Sequence, residues 1–105
     1  MAVLLGAIKH NVDEHKLREV ILFAENDRYL YDILMNTYVP AVKKKIKSGK
    51  YNKTLATKLL EYYYANYVRR EMIKPSKYGY DPKLNPEERK RFGEYFRDVI
   101  EEEYL

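Results

Sequence analysis

The sequence predicts an all-α fold: a compact bundle of about four helices, with the second helix kinked or split at Pro40. Three observations carry that expectation. From about Asp13 onward the apolar residues recur at intervals of three and four, the repeat of one helix face. Nothing alternates with a period of two over a useful length. Short polar side chains stand where helix ends need acceptors for their exposed amides, at Asn11 or Asp13, Asp27, Asn52 and Asn85.

The first helix is expected to run from Asn11 or Asp13 to about Glu25, with Leu17, Val20, Ile21 and Ala24 as its apolar stripe. The stretch "END" breaks that stripe and sets Asp27 as the cap of a second helix. There Tyr31, Met35, Tyr38, Val39, Val42 and Ile46 share a face. Pro40 falls inside the stripe and removes a backbone hydrogen bond, which predicts a kink near Tyr38. Gly49 ends this helix, with Lys47 and Lys50 near its negative end.

Asn52 caps a third helix to about Met72, with Ala56, Leu59, Leu60, Tyr63 and Tyr67 inward. The loop "KPSKYGYDPKL" follows. Loops beyond about 12 residues are uncommon in compact domains, so one near that length must be pinned by its own side chains or used for something. Tyr78 and Tyr80 are the expected pins. "NPEE" then starts the last helix, with Asn85 as cap, Pro86 in the first turn, and Glu87 and Glu88 at the positive end. Phe92, Tyr95, Phe96, Val99, Ile100 and Tyr104 form its predicted core face. Glu87–Arg91, Lys90–Glu94 and Arg97–Glu101 are its predicted ion pairs, each worth about 0.2–0.5 kcal/mol.

A chain of 105 residues makes one domain, residues 1–105. Residues 1–12 read as an N-terminal arm of unassigned structure. About 65% of the unfolded surface can be buried at this size, enough for one core without staples. There is no cysteine, so disulfides and thiolate metal sites are excluded. The longest apolar run, "AVLLGAI", has seven residues, far from the ~20 a bilayer span takes. The expectation is a soluble cytoplasmic protein with no membrane partner.

The net charge of +4 is modest, but it is unevenly spread. Seven lysines lie between Val42 and Leu59, with no acid from Ile33 to Leu60, and the chain ends in "EEEYL". Lys43, Lys44, Lys45 and Lys47 point away from the apolar stripe of the second helix. Lys50, Lys53, Lys58 and Arg69 extend the same surface if the third helix folds back alongside. A solvated helix face is the plain reading of such a run. The functional reading is a contact surface for phosphates or for an acidic protein.

Tyrosine occurs twelve times and tryptophan not at all. Tyr63 of "YYY" reads as core, while Tyr62 and Tyr64 flank it as candidate aromatic contacts. Tyr62 between Lys58 and Arg69 is the arrangement a base-stacking platform uses, though no recognised nucleic-acid motif accompanies it.

No nucleophile–base pair or phosphate-cradling glycine loop is present, so no catalytic residue, enzyme activity or cofactor is expected. Glu25, Asn26, Asp27 and Asp32 lack the spacing of a hard-cation loop. His10 and His15 have no third ligand beside them, and no metal site is expected. The glutamates at the C-terminus crowd the negative end of a helix, where carboxylates are unfavourable. Facing a basic surface, of this chain or of a second copy, would relieve that.

The order Glu25-Asn26-Asp27, Leu30-Tyr31, Pro40, Lys43 to Lys45, Gly49 to Tyr51 and a tyrosine-rich helix after Asn52 resembles a family of small helical proteins common in bacteriophage and environmental sequences. The closing segment "RKRFGEYFRDVIEEEYL" is similar to the same family's end. Asn52 stands where that pattern has aspartate, and it still caps. The resemblance spans roughly residues 20 to 105. It implies a phage or mobile-element origin and a soluble helical fold, and no mechanism. The expected function is a non-catalytic interaction module docking on a host or viral protein, with a blocking role against a host defence as one form. Nucleic-acid binding through the same lysines is the alternative. A virion or self-assembly component, and with it a homodimer, is the third.

Overall fold

Each helix starts where a polar side chain meets free amides. In the computed structural model, which describes residues 11–104, Asp13 accepts from the Lys16 amide at 3.0 Å and opens α1, Glu14–Asn26. Asp27 accepts from Leu30 at 3.1 Å and opens α2, residues 28–47. Asn52 accepts from Leu55 at 3.0 Å and opens α3, residues 53–73. Asn85 accepts from Glu88 at 2.9 Å and opens α4, Pro86–Tyr104. The fold is an all-α bundle of four helices, with no strand among the described residues. None of their helices is long and apolar enough to cross a membrane. The expectations for residues 1–10 and for the Tyr104 side chain lie outside the described residues.

Helix α2 runs through Arg28–Ile33, a π turn at Leu34–Tyr38, and Val39–Lys47. The π turn is how the helix passes Pro40. Proline has no N–H and crowds the carbonyl four residues back. Widening the preceding turn lets the Val39 amide reach back five residues to the Leu34 carbonyl, and the helix continues instead of splitting. Helix α3 also has three parts, Lys53–Tyr63, a π turn at Tyr64–Val68, and Arg69–Ile73. This second π turn contains no proline, and nothing in the sequence pattern announced it. The two π turns face each other, with the Tyr38 ring edge-on to Tyr67 at 6.1 Å.

The core lies between α3 and α4, closed by α1 and α2. Phe92 and Phe96 of α4 pack at 4.9 Å, and Tyr63 and Tyr64 meet Phe92 at 6.1 and 5.4 Å. Such pairs each add about 0.5–1.5 kcal/mol beyond the area they bury. Gly93 permits the close approach of α4. A Cβ there would lie 2.6 Å from the Thr57 carbonyl oxygen.

Three expectations are corrected by this packing. The buried face of α2 is Leu30, Leu34, Tyr38, Val39 and Val42, so the predicted stripe holds from Tyr38 onward. Before the π turn, Leu30 and Leu34 take the places expected for Tyr31 and Met35, and Tyr31 is 48% exposed. Leucine without a hydroxyl takes the inner position, and tyrosine keeps its polar tip at the surface. In α3, Tyr64, Val68 and Met72 are buried, whereas Leu59 and Tyr67 are only partly so. None of the three predicted ion pairs within α4 forms. Arg91 reaches Glu14 of α1 at 3.3 Å, Arg97 turns to Asp98 at 2.7 Å, and Glu101 faces Lys53 at 3.8 Å.

The long loop is pinned at several points. Tyr78 donates to Glu19 at 2.5 Å and sets its ring edge-on to Phe23. Lys77 bonds Asp27 at 2.9 Å, and Leu84 is buried. Tyr80 holds the loop through its backbone amide, which donates to Met72 at 3.1 Å, and its side chain stays exposed. Gly79 takes a positive φ of 74°, where a side chain would be strained.

Candidate functional site

The lysine segment occupies the end of α2, the turn at Gly49 and the start of α3. Gly49 has a φ of 72°, which lets the chain reverse between Lys47 and Asn52. The reversal splits the lysines into two edges. Lys43, Lys44 and Lys47 flank a hollow floored by Met35, Val39 and Pro40. Lys45 and Lys50 rim a separate groove of about 320 Å³ between α2 and α3, floored by Val42, Ala56 and Leu59.

Leu55 lies on the rim of that groove at 64% exposure, unusual for a leucine on the first turns of a packed helix. Seven residues on, Tyr62 is 62% exposed on the same face of α3, and Lys58 lies between them. Tyr62, Lys58 and Glu61 line a small hollow with Arg89 of α4. The exposed face is thus apolar at its two ends and cationic between and beside them.

Tyr51 closes the groove at its base. Its hydroxyl donates to the Glu101 carboxylate, and burial together with that bond holds the phenol above its ordinary range. Glu101 also sits 3.8 Å from the Lys53 ammonium. One glutamate of the acidic end therefore faces the lysine segment of its own chain, while Glu102 and Glu103 remain exposed. No ion pair to a described side chain involves Lys44, Lys45, Lys47, Lys50 or Lys58.

Two candidate residues do not belong to this surface. Tyr64 is 2% exposed, and its hydroxyl accepts from the Leu84 amide at 3.2 Å. It holds the long loop to the core and cannot touch a partner. Arg69 makes a two-point bond to Asp81, at 3.0 and 2.7 Å, which lowers the Asp81 carboxyl below its usual range. A guanidinium held in this fork is committed to the loop. Arg89 replaces it beside Tyr62, and only α3–α4 packing brings it there.

No three histidines, aspartates or glutamates converge as metal ligands among the described residues. Asp27 caps α2 and pairs with Lys77, and Glu25 accepts from Tyr95 at 2.7 Å. His15 pairs with Glu19 at 3.0 Å at the surface. No family model, curated protein or solved structure matches the chain.

Proposed function

We propose that this chain is a non-catalytic docking module of phage or mobile-element origin that engages a host or viral protein in the cytoplasm. Blocking a host defence complex is one role such a module serves. The observation that supports docking is Leu55, exposed on the rim of an apolar groove beside Lys45 and Lys50, which have no ion-pair partner among the described residues. Leu55 and Tyr62 supply anchors, which carry most of the energy in protein interfaces. The lysines select a partner whose matching surface is acidic and raise the rate of encounter.

Nucleic-acid binding is the second reading, and one observation favours it. The Tyr62 ring is exposed beside Lys58 and Arg89, where a base could stack for about 1–3 kcal/mol. Glu61 in the same hollow opposes a phosphate, and for that reason the protein reading stands first.

A photo-crosslinking side chain at position 55, in protein expressed in bacteria carrying the cognate phage or element, separates the two. A discrete protein adduct that disappears in Lys45→Glu/Lys50→Glu supports docking. A nucleic-acid adduct, with salt-steep binding to labelled DNA or RNA in solution, replaces it with the second reading. Absence of any adduct counts against both.

A further inference from the structure

We infer that α2 carries a self-complementary face on which two copies of this chain pair about a two-fold axis. Two adjoining hollows share Met35 and Val39. One, of about 290 Å³, is flanked by Glu25, Glu103 and the exposed Tyr31. The other, of about 520 Å³, continues across Pro40 to Lys44 and Lys47. A single apolar strip thus has carboxylates beside one end and ammonium groups beside the other.

An isologous interface requires this pattern, because each patch must meet its own copy in reverse. With the two α2 helices antiparallel and the half-buried Met35 at the axis above the buried Val39, the Lys44/Lys47 end of one copy lies over the Tyr31/Glu103 end of the other. Both ends are then satisfied by the same rotation. Glu103 has no partner among the described residues, and neither do Lys44 and Lys47. The pairing also answers the crowding of glutamates at the negative end of α4, which one contact from Glu101 to Lys53 only partly relieves.

From Tyr31 to Lys47 the strip is about 24 Å long at 1.5 Å per residue. At the roughly 10 Å width of one helix the strip covers about 240 Å², small beside the ~800 Å² per partner of a standard interface, so the dimer is weak, with a Kd between about 1 μM and about 1 mM. The surface lies on the opposite side of α2 from the Lys45/Lys50 groove. The dimer and the docking proposal therefore stand or fall separately.

The test is sedimentation velocity of the full chain from about 1 μM to about 1 mM, with two charge variants. Lys44→Glu/Lys47→Glu makes both ends of the strip acidic, and Glu103→Lys takes away acidity at the other end. Each variant alone is expected to sediment as a monomer at concentrations where the wild type is dimeric. An equimolar mixture of the two is expected to recover the dimer, because each altered end then meets its opposite. A wild type that stays monomeric throughout, variants that dimerise as well as the wild type, or a mixture that stays monomeric would each overturn the inference. Leu55→Asp, in the docking groove, should leave the dimer intact, and its loss there would place the interface elsewhere.

Discussion

The Tyr63 hydroxyl donates to the Leu30 carbonyl across 2.8 Å of buried interior, joining α3 to the first turn of α2. Both residues are fully buried, and burial raises the Tyr63 phenol well above its ordinary range. The Leu30 carbonyl also takes the Leu34 amide, so it keeps one partner if the hydroxyl is removed. Tyr63→Phe is therefore expected to cost about 0.5–1.5 kcal/mol in urea unfolding, with an unchanged slope. A cost near zero would mean that the bond contributes nothing net.

Glu88 ties the start of α4 to the start of α1. Its side chain accepts from the Asn85 and Asp13 amides, both at 2.8 Å, and pairs with the Lys16 ammonium at 2.9 Å. Burial pushes its pKa up, but those three donors together outweigh burial and hold it below the glutamate range. A lowered folded pKa stabilises the fold above the unfolded value of about 4.3, and that contribution fades as the pH falls through the folded value. Glu88→Gln should cost about 1–3 kcal/mol at neutral pH. The difference from wild type should shrink on acidification, and a gap independent of pH would refute this account.

Gly93 makes the opposite demand on helix propensity. In an isolated helix, alanine would be favoured over glycine by about 1 kcal/mol. Here the added methyl would meet the Thr57 carbonyl at 2.6 Å and two further carbons at 3.1 Å. Gly93→Ala is expected to destabilise by about 1–3 kcal/mol, because α4 must back away from α3. Thermal melts decide between the two effects by the sign of the change alone.

Tyr95 donates to Glu25 at 2.7 Å, and that bond, with burial, raises the phenol to about 12. A raised pKa stabilises the fold below the unfolded value and is lost as the pH climbs through the folded one. Tyr95→Phe should therefore be less stable than wild type at neutral pH, and the gap should close between about pH 10 and about pH 12. Stability curves taken along that alkaline limb test it. Curves that stay parallel would show the hydroxyl to be uncoupled from folding.

Arg69 is committed to Asp81, so Arg69→Gln should disturb the 74–85 loop without touching the docking face. Proteolysis within the loop is expected to quicken while crosslinking from position 55 is unchanged. Lys45→Glu/Lys50→Glu should do the reverse, shifting stability by no more than about 0.5 kcal/mol, as isolated surface changes do. Equal effects of both variants on crosslinking would return Arg69 to the docking surface.

What the sequence by itself determined is local in range. The helix caps Asp13, Asp27, Asn52 and Asn85 act on amides three residues away, so short stretches of sequence sufficed to find three of the starts and to narrow the first to Asn11 or Asp13. That Pro40 disturbs the turn before it was legible for the same reason, since its missing N–H acts only there, but that the disturbance takes the form of a π turn was not. The apolar repeat placed most of the core, and it erred by about one position where Leu30 and Tyr31 compete for the inside. Tertiary structure decided everything that depends on two helices meeting. Gly93 lowers the helix propensity of α4 taken alone, and only the packing of Thr57 against it gives the reason for a glycine there. Tyr64 left the candidate surface because the 74–85 loop folds over it, and Arg69 because Asp81 lies within reach across the same loop. Arg89 joined Tyr62 from 27 positions away. The lysine run, continuous along the chain, became two edges of different character once α3 packed beside α2. A run of charge records how many cations a segment has, but their neighbours, and hence their use, are set by which helix lies next to them.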